Sequence, residues 1–285
     1  MNTFLKRYSD WGFDENPKNI DIRPALRINT LKIERDALFN RLKEKNVSLK
    51  KIHFLKNGYW YASKFSLGAA PEYLQGHYYI QEAASQIPPM ILDPKHTDLV
   101  LDCCAAPGSK TTGLAQIMGN KGCIVALDRD RRRIAALNNN IERMGVKNTI
   151  VYDLDSRDAS ALGLKFDKIL VDAPCSGNFS MDRNWFPKRD INGIRRNAKK
   201  QKPILSEAIK LLKKNGVLVY STCSLEIEED EKVIAYALDN FNVKLESTNL
   251  KIGVPGLTDR TKLCRRLWPG RDGTQGFFVA KLRKK

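Results

Sequence analysis

The chain has 285 residues, 42% hydrophobic and 28% charged, with 49 Lys and Arg against 32 Asp and Glu and a formal net charge of +17. That length allows one large domain with a smaller companion, and no apolar run approaches the roughly 18 residues of a membrane-spanning helix. Six cysteines without regular spacing, no Cys-x-x-Cys pair and three scattered histidines argue against a disulfide framework and against a metal site, so the chain is expected to be cytoplasmic, with reduced thiols and no signal peptide.

In chain order, residues 1–75 predict a small α+β unit. Ala25–Asn29 and Gly58–Tyr61 suit strands, and Ile33–Lys45 suits an amphipathic helix with Leu38 and Leu42 on one face. This unit is either an RNA-binding platform or a packing subdomain. Residues 76–285 form the second expected domain, in which apolar runs alternate with helical patterns. Strands are expected at Leu99–Leu101, Cys123–Leu127, Thr149–Tyr152, Lys168–Val171, Val217–Tyr220 and Gly276–Leu282, and helices at Lys110–Met118, Arg131–Met144, Ala198–Leu212 and Glu228–Leu238. Repeated β-α units predict an α/β fold: a mostly parallel, doubly wound Rossmann-like sheet with its ligand at the strands' C-terminal edge.

Three segments at that edge carry chemistry. Asp102-Cys103-Cys104-Ala105-Ala106-Pro107-Gly108-Ser109-Lys110 joins the first of these strands to a helix, and its small residues let backbone amides approach a ligand at the helix N-terminus. Asp128 ends the next strand, where a carboxylate can accept both hydroxyls of a ribose, and Asp155 follows the third, within reach of an adenine amino group. Neither Gly-x-Gly-x-x-Gly nor Gly-x-x-x-x-Gly-Lys-Ser/Thr is present, so a nucleoside without phosphates fits better than a nucleotide. Cys175, in Asp172-Ala173-Pro174-Cys175-Ser176-Gly177, and Cys223, in Ser221-Thr222-Cys223-Ser224, each follow an apolar strand and so face one cleft. One thiolate can add to an electron-poor ring carbon while the second thiol serves a later step. Cys103, Cys104, Cys123 and Cys264 read as small core or backbone-positioning residues.

Charge is unevenly spread. Residues 183–214 carry 11 Lys/Arg against 2 Asp/Glu, a net +9, and residues 1–75 and 251–285 carry +6 and +8, whereas 215–250 carry −5. Basic segments flanking the cleft suit a surface that tracks a phosphate backbone, although a merely soluble basic protein accounts for charge equally well.

The motifs Cys104-Ala105-Ala106-Pro107-Gly108-Ser109-Lys110-Thr111, Asp172–Gly177 and Ser221–Ser224, with Gln81–Gln86 before them and Gly276–Ala280 after, resemble in identity and order those of the NOL1/NOP2/Sun family of RNA cytosine-5 methyltransferases. The resemblance spans most of residues 22–282. It implies an S-adenosylmethionine-dependent methyltransferase fold, with residues 104–110 cradling the methionine portion. Asp128 would hold the ribose, Arg133 the neighbouring cofactor region and Asp155 the adenine, with Asp172 between cofactor and base. Cys223 would be the nucleophile and Cys175 the thiol that assists release. The segments Asn178–Trp185 and Trp268–Gly273 depart from the commoner family pattern, the first in a way associated with archaeal members. With no long basic tail and no room for an added RNA-binding domain, tRNA is the expected substrate and ribosomal RNA the alternative.

The chemistry supports these roles independently. Cytosine C5 becomes nucleophilic only when something adds at C6, and Asp172 beside N3 can absorb the developing charge. Lys110 either tunes a neighbouring pKa, orients a carboxylate, or is a surface lysine at a helix start. A catalytically silent RNA-binding protein, a DNA cytosine-5 methyltransferase using the Pro-Cys thiol as nucleophile, and a redox enzyme pairing Cys175 with Cys223 are the competing readings.

Overall fold

A computed structural model describes residues 3–285. Four short strands, β1 (Ala25–Ile28), β2 (Ser48–Lys51), β3 (Gly58–Ala62) and β4 (Tyr78–Ile80), form an antiparallel sheet in the order β2-β3-β1-β4. The helix Arg35–Glu44 places Leu38 and Leu42 against Leu26, Ile28, Tyr59 and Tyr78 to make its core. This sheet takes its last strand from beyond residue 75. The helix Thr3–Asp10 leaves it altogether: Phe4, Tyr8 and Phe13 pack with Phe179, Trp185 and Trp268 of the larger unit.

The larger sheet contains β5 (Leu99–Asp102), β6 (Cys123–Asp128), β7 (Thr149–Asp153), β8 (Phe166–Asp172), β9 (Leu212–Thr222), β10 (Val243–Glu246), β11 (Val254–Pro255), β12 (Arg265–Leu267) and β13 (Phe277–Lys284). Its order is β11-β12-β13-β9-β8-β5-β6-β7, with β10 also paired to β13. Strands β5 to β9 are mutually parallel and β13 runs antiparallel to β9. Successive residues of a strand point to opposite faces, and here both faces are covered. Leu101, Ile169, Val171, Leu218 and Tyr220 pack under the helices Ile191–Leu211 and Glu231–Asn240. Val100, Leu170, Val217 and Val219 pack under Ile87–Leu92 and Ser109–Met118. That double burial is why these runs are continuously apolar rather than alternating. The chain winds outward from β5 to β7, then returns to β8 on the other side of β5, so the crevice of a doubly wound sheet opens between the ends of β5 and β8.

The expected elements are recovered with shifted ends. The helix expected at Ala198–Leu212 begins at Ile191, where the Asp190 carboxylate accepts the Gly193 N–H at 2.6 Å and caps it. The helix expected from Glu228 starts at Glu231, because Glu228, Glu229 and Asp230 are committed to tertiary contacts in the preceding loop.

Arg27 joins the two units. Its guanidinium donates to Gln81 on one side, and to Gln116 Oε1 at 2.7 Å, Thr112 Oγ1 at 2.7 Å and the Ser109 and Thr112 carbonyls on the helix of the larger unit. Burial without a carboxylate partner pushes this arginine down to about 10. A second buried arginine, Arg266, is 0% exposed and bonded to Glu231 at 2.5 Å, Asp230 at 3.3 Å and the Leu225 carbonyl at 2.7 Å. Removing one side of such a pair strands the other, so Arg266→Ala should lose about 3–5 kcal/mol of stability. Denaturant unfolding monitored by circular dichroism checks this, and an unchanged midpoint would mean that the loop's carboxylates do not need their cation.

Candidate active site

Strands β8 and β9 pair in parallel with Asp172 opposite Ser221. The two chains therefore leave the sheet side by side, and Cys175 and Cys223 are delivered to one point with Sγ–Sγ 3.0 Å. The two thiols are unequal. Cys223 is drawn below the usual thiol range, first by the hydrogen bond it receives from Cys175 and further by the nearby Lys110 ammonium, which together outweigh burial. Cys175, as the donor and itself buried beside Glu229, is pushed well above it.

Lys110 is buried at the start of the helix Ser109–Met118, with Nζ 2.6 Å from Asp172 Oδ2 and 3.0 Å from Ser85 Oγ. Burial alone would lower its pKa, but the Asp172 carboxylate more than reverses this and keeps it a cation. Asp172 is held from its other oxygen by Ser221 Oγ at 2.7 Å. The Lys110 ammonium also lies 5.9 Å from the centroid of the Phe277 ring. The surface-lysine reading of Lys110 is thereby excluded.

Beside the thiols lies a cavity of about 380 Å³ lined by Cys104, Ala106, Asp128, Arg133, Asp155, Asp172, Cys175 and Cys223 among others, within the roughly 300–1,000 Å³ of small-molecule sites. Asp128, 5% exposed, accepts the Ala106 N–H at 3.2 Å and the Asp130 N–H at 3.1 Å, and Arg133 stands 3.5 Å from it while donating to the Ala106 carbonyl. Gly108, at φ +103°, lies so close to the next helix that a Cβ would meet Leu137 Cδ1 at 2.9 Å; only glycine lets the loop turn there. Ala105 is pinned through its N–H to the Leu127 carbonyl, and Pro107 through its carbonyl to Asn140, so both shape the loop without lining the cavity. Ser109 lines a different cleft, on the Arg27 side. Asp155 reaches the cavity, but its oxygens already accept from Arg129 at 3.2 Å and from Arg157 at 2.7 Å, which hold its carboxyl far below the usual range. Asp128 thus presents a buried carboxylate to a cavity whose wall also carries Arg129, Arg133, Arg157 and Lys200.

Several supporting residues were hidden from sequence reasoning. Glu229, 0% exposed, accepts Ser176 Oγ at 2.6 Å and Ser176 N at 3.1 Å, and Ser176 Oγ stands 3.3 Å from Ser224 Oγ. One carboxylate thus fastens the residues that follow both cysteines. Glu82 accepts the Ala84, Ser85 and Gln275 N–H groups and so sets the serine that steadies Lys110. Asn178 donates to the carbonyls of Cys223 and Gly276, at 2.8 and 2.9 Å. The only sequence signal for Glu229 was the negative charge of 215–250, which reads as solvated surface. Among the described residues no group of three or more His, Cys, Asp or Glu is placed to hold a metal, and no helix is long and apolar enough to cross a membrane.

A doubly wound sheet with a cleft at its switch point is the fold class of S-adenosylmethionine-dependent methyltransferases. Residues 89–283 match the family model described as 16S rRNA methyltransferase RsmB/F, and residues 4–83 match the N-terminal domain of 16S rRNA methyltransferase RsmF. The chain therefore belongs to the RsmB/F methyltransferase family, which bears out the NOL1/NOP2/Sun resemblance. It is 40% identical over 219 residues to a tRNA (cytosine(72)-C(5))-methyltransferase from Pyrococcus horikoshii, covering 77% of this chain and 55% of that one. A solved methyltransferase homologue from the same organism is 37% identical, with TM-score 0.85 and full coverage of both chains. The P. horikoshii NSun6 structure with SFG, an S-adenosylmethionine analogue, is 27% identical with TM-score 0.89 over 99% of this chain and 98% of that one. The chain spans from about a third to a little over half of the length of the curated relatives it matches.

If Cys175 is the hydrogen-bond donor that lowers Cys223, its removal must raise the Cys223 pKa. Iodoacetamide alkylation of Cys223, followed by mass spectrometry across pH 6–10, should show the midpoint of Cys175→Ala displaced upward, with Cys175→Ser in between. A midpoint that does not move would assign the lowering to Lys110 instead.

Proposed function

We propose that this protein methylates C5 of cytosine in RNA, with Cys223 as the nucleophile. The observation that carries this reading is the meeting of two thiols 3.0 Å apart at the ends of two parallel strands, beside a fixed lysine cation. The Cys223 thiolate adds to C6, and the electrons displaced from the C5–C6 double bond spread toward O2 and N3, where Lys110, held in place by Asp172, offers a preorganised positive charge. Bound S-adenosylmethionine supplies the electrophilic methyl group that C5 takes. The C5 proton then leaves with help from Cys175, directly or through a water, the C5–C6 double bond reforms and Cys223 leaves. Asp128 holds the ribose hydroxyls and Arg133 the neighbouring part of the cofactor. Asp155, with its oxygens spent on arginines, acts on the adenine end chiefly by fixing Arg129 and Arg157. A reducing, cytoplasmic setting keeps both thiols free.

The basic face of the helix Ile191–Leu211, with the small N-terminal sheet, is the proposed RNA track. Arg195 and Lys199 are exposed, one helical turn apart. Lys200 lines the cofactor cavity, so it reports on both ligands. tRNA is the proposed substrate, in keeping with the tRNA-modifying relative. Ribosomal RNA is the second reading, favoured by the family models named for 16S rRNA enzymes. Bisulfite sequencing of tRNA and rRNA incubated with the protein and S-adenosylmethionine decides between them.

Cys223→Ala should abolish methylation and give no RNA adduct. Cys175→Ala should still methylate but stall before release, leaving a slow-migrating protein–RNA band on denaturing gels that depends on S-adenosylmethionine. The reverse pattern would move the nucleophile to Cys175. Asp128→Ala should weaken cofactor binding by about 1–3 kcal/mol in calorimetry, the cost of unpaired buried hydroxyls, and unchanged affinity would remove Asp128 from the site. Arg195→Glu with Lys199→Glu should weaken RNA binding and flatten its salt dependence without touching cofactor affinity; an unchanged slope would place the RNA elsewhere.

A further inference from the structure

On the small-sheet side of the cleft, a second cavity of about 500 Å³ is lined by Asp21, Arg23, His53, Trp60 and the turn 270–273, among others. Trp60 is partly exposed, and its indole N–H donates to the Gly273 carbonyl at 3.3 Å. Gly273, at φ +67°, presses against the ring: a Cβ there would meet Trp60 Cζ2 at 2.9 Å. The Arg23 guanidinium lies 5.6 Å from the ring centroid and makes no ion pair among the described residues. Asp21 likewise has neither an ion pair nor a hydrogen bond there. Arg271 is already neutralised by Glu15 at 3.2 Å, and Asp272 accepts the Gly253 N–H. The cavity thus offers a guanidinium and a carboxylate without ion pairs, beside a partly exposed indole and an exposed imidazole.

We propose that this cavity binds a nucleobase of the substrate RNA, within a few nucleotides of the target cytosine. This rests on the RNA reading above. A planar heterocycle of any identity stacks on the tryptophan face that Arg23 overlies, the exposed guanidinium swinging aside to admit it. Asp21 accepts from an exocyclic amino or ring N–H group, which an ionised carboxylate can only do as an acceptor. A phosphate is disfavoured there, since Glu15, Asp21 and Asp272 line the same space. The backbone connects this cavity to the catalytic one. Phe278 pairs with Thr222, the residue before Cys223, so Gly273 lies within about 18 Å of chain from the nucleophile strand. Between them, buried Thr274 Oγ1 and Gln275 Oε1 have no hydrogen-bond partner, while the Gln275 N–H is held by Glu82, which also holds the Ser85 amide beside Lys110. Occupancy of the cavity thus bears on the loop that meets the lysine network.

The RNA fragment carrying the cytosine mapped by bisulfite sequencing provides the probe, with 2-aminopurine placed singly at each of the three positions on either side. Stacking on Trp60 should quench one of these positions with the wild-type protein, with quenching kept in Trp60→Phe and lost in Trp60→Ala. Arg23→Ala and Asp21→Ala, both at exposed positions, should raise KM for the fragment about tenfold while kcat stays within about twofold and calorimetric cofactor affinity is unchanged. If the wild type methylates the fragment but no position shows Trp60-dependent quenching and neither KM moves, the subsite is overturned and the RNA reading stands. If the wild type methylates no RNA, both fall together.

Discussion

The site depends on the pairing of two parallel strands in one register. With Asp172 opposite Ser221, the β8 and β9 termini lie one strand spacing apart, and each needs only a short loop to bring its cysteine to the same point. A shift of one residue would turn Asp172 and Ser221 to opposite faces and separate the thiols. The sheet enforces the register by burying both faces, since Ile169 and Val171 must meet one helical layer and Leu170 the other. Packing and chemistry thus draw on a single constraint, and the two sulfurs need little help beyond Glu229 and Asn178 to be held together.

The buried charges form a second layer of organisation. Lys110 would be an expensive burial alone, and Asp172 and Ser85 make it tolerable by satisfying it directionally. The result is a cation held in one place beside the thiols. A carboxylate-rich loop after Cys223 works in the same way from the other side: Asp230 accepts from Thr222, Glu229 from Ser176, and Glu226 from Tyr8. Burial raises Glu226 to about 7, so the N-terminal helix is docked by a group whose charge is sensitive near neutrality.

The parallel strands, the cofactor loop and both cysteines were legible because each is local: a continuous apolar run followed by a short, chemically marked turn. Asp128 was legible for the same reason. What was hidden is non-local. Glu229 and its neighbours form a charge run that sequence reasoning assigns to solvent, and their burial follows only from partners such as Ser176, Arg7 and Arg266 far away in the chain. The strands β10 to β12 are only two to four residues long, so no period stands out. The docking of Thr3–Asp10 is likewise non-local, because Phe4 and Tyr8 pack with Trp185 and Trp268. Asp155 was read from its position as a free acceptor, but the neighbouring arginines that occupy it lie in the same stretch of sequence.

Arg27 bears on whether the molecule can be divided. Both terminal nitrogens of its guanidinium are spent across the boundary, on the helix Ser109–Met118. Cutting the chain after β4 would leave Gln116 and the Thr112 hydroxyl without their donor and bare the face they share with Pro89 and Met90. The methyltransferase sheet is therefore not a self-sufficient module to which an RNA-handling part was appended. The small sheet is a lid on the back of the cofactor helix, and swapping it for another would require the incoming part to bring an arginine of its own.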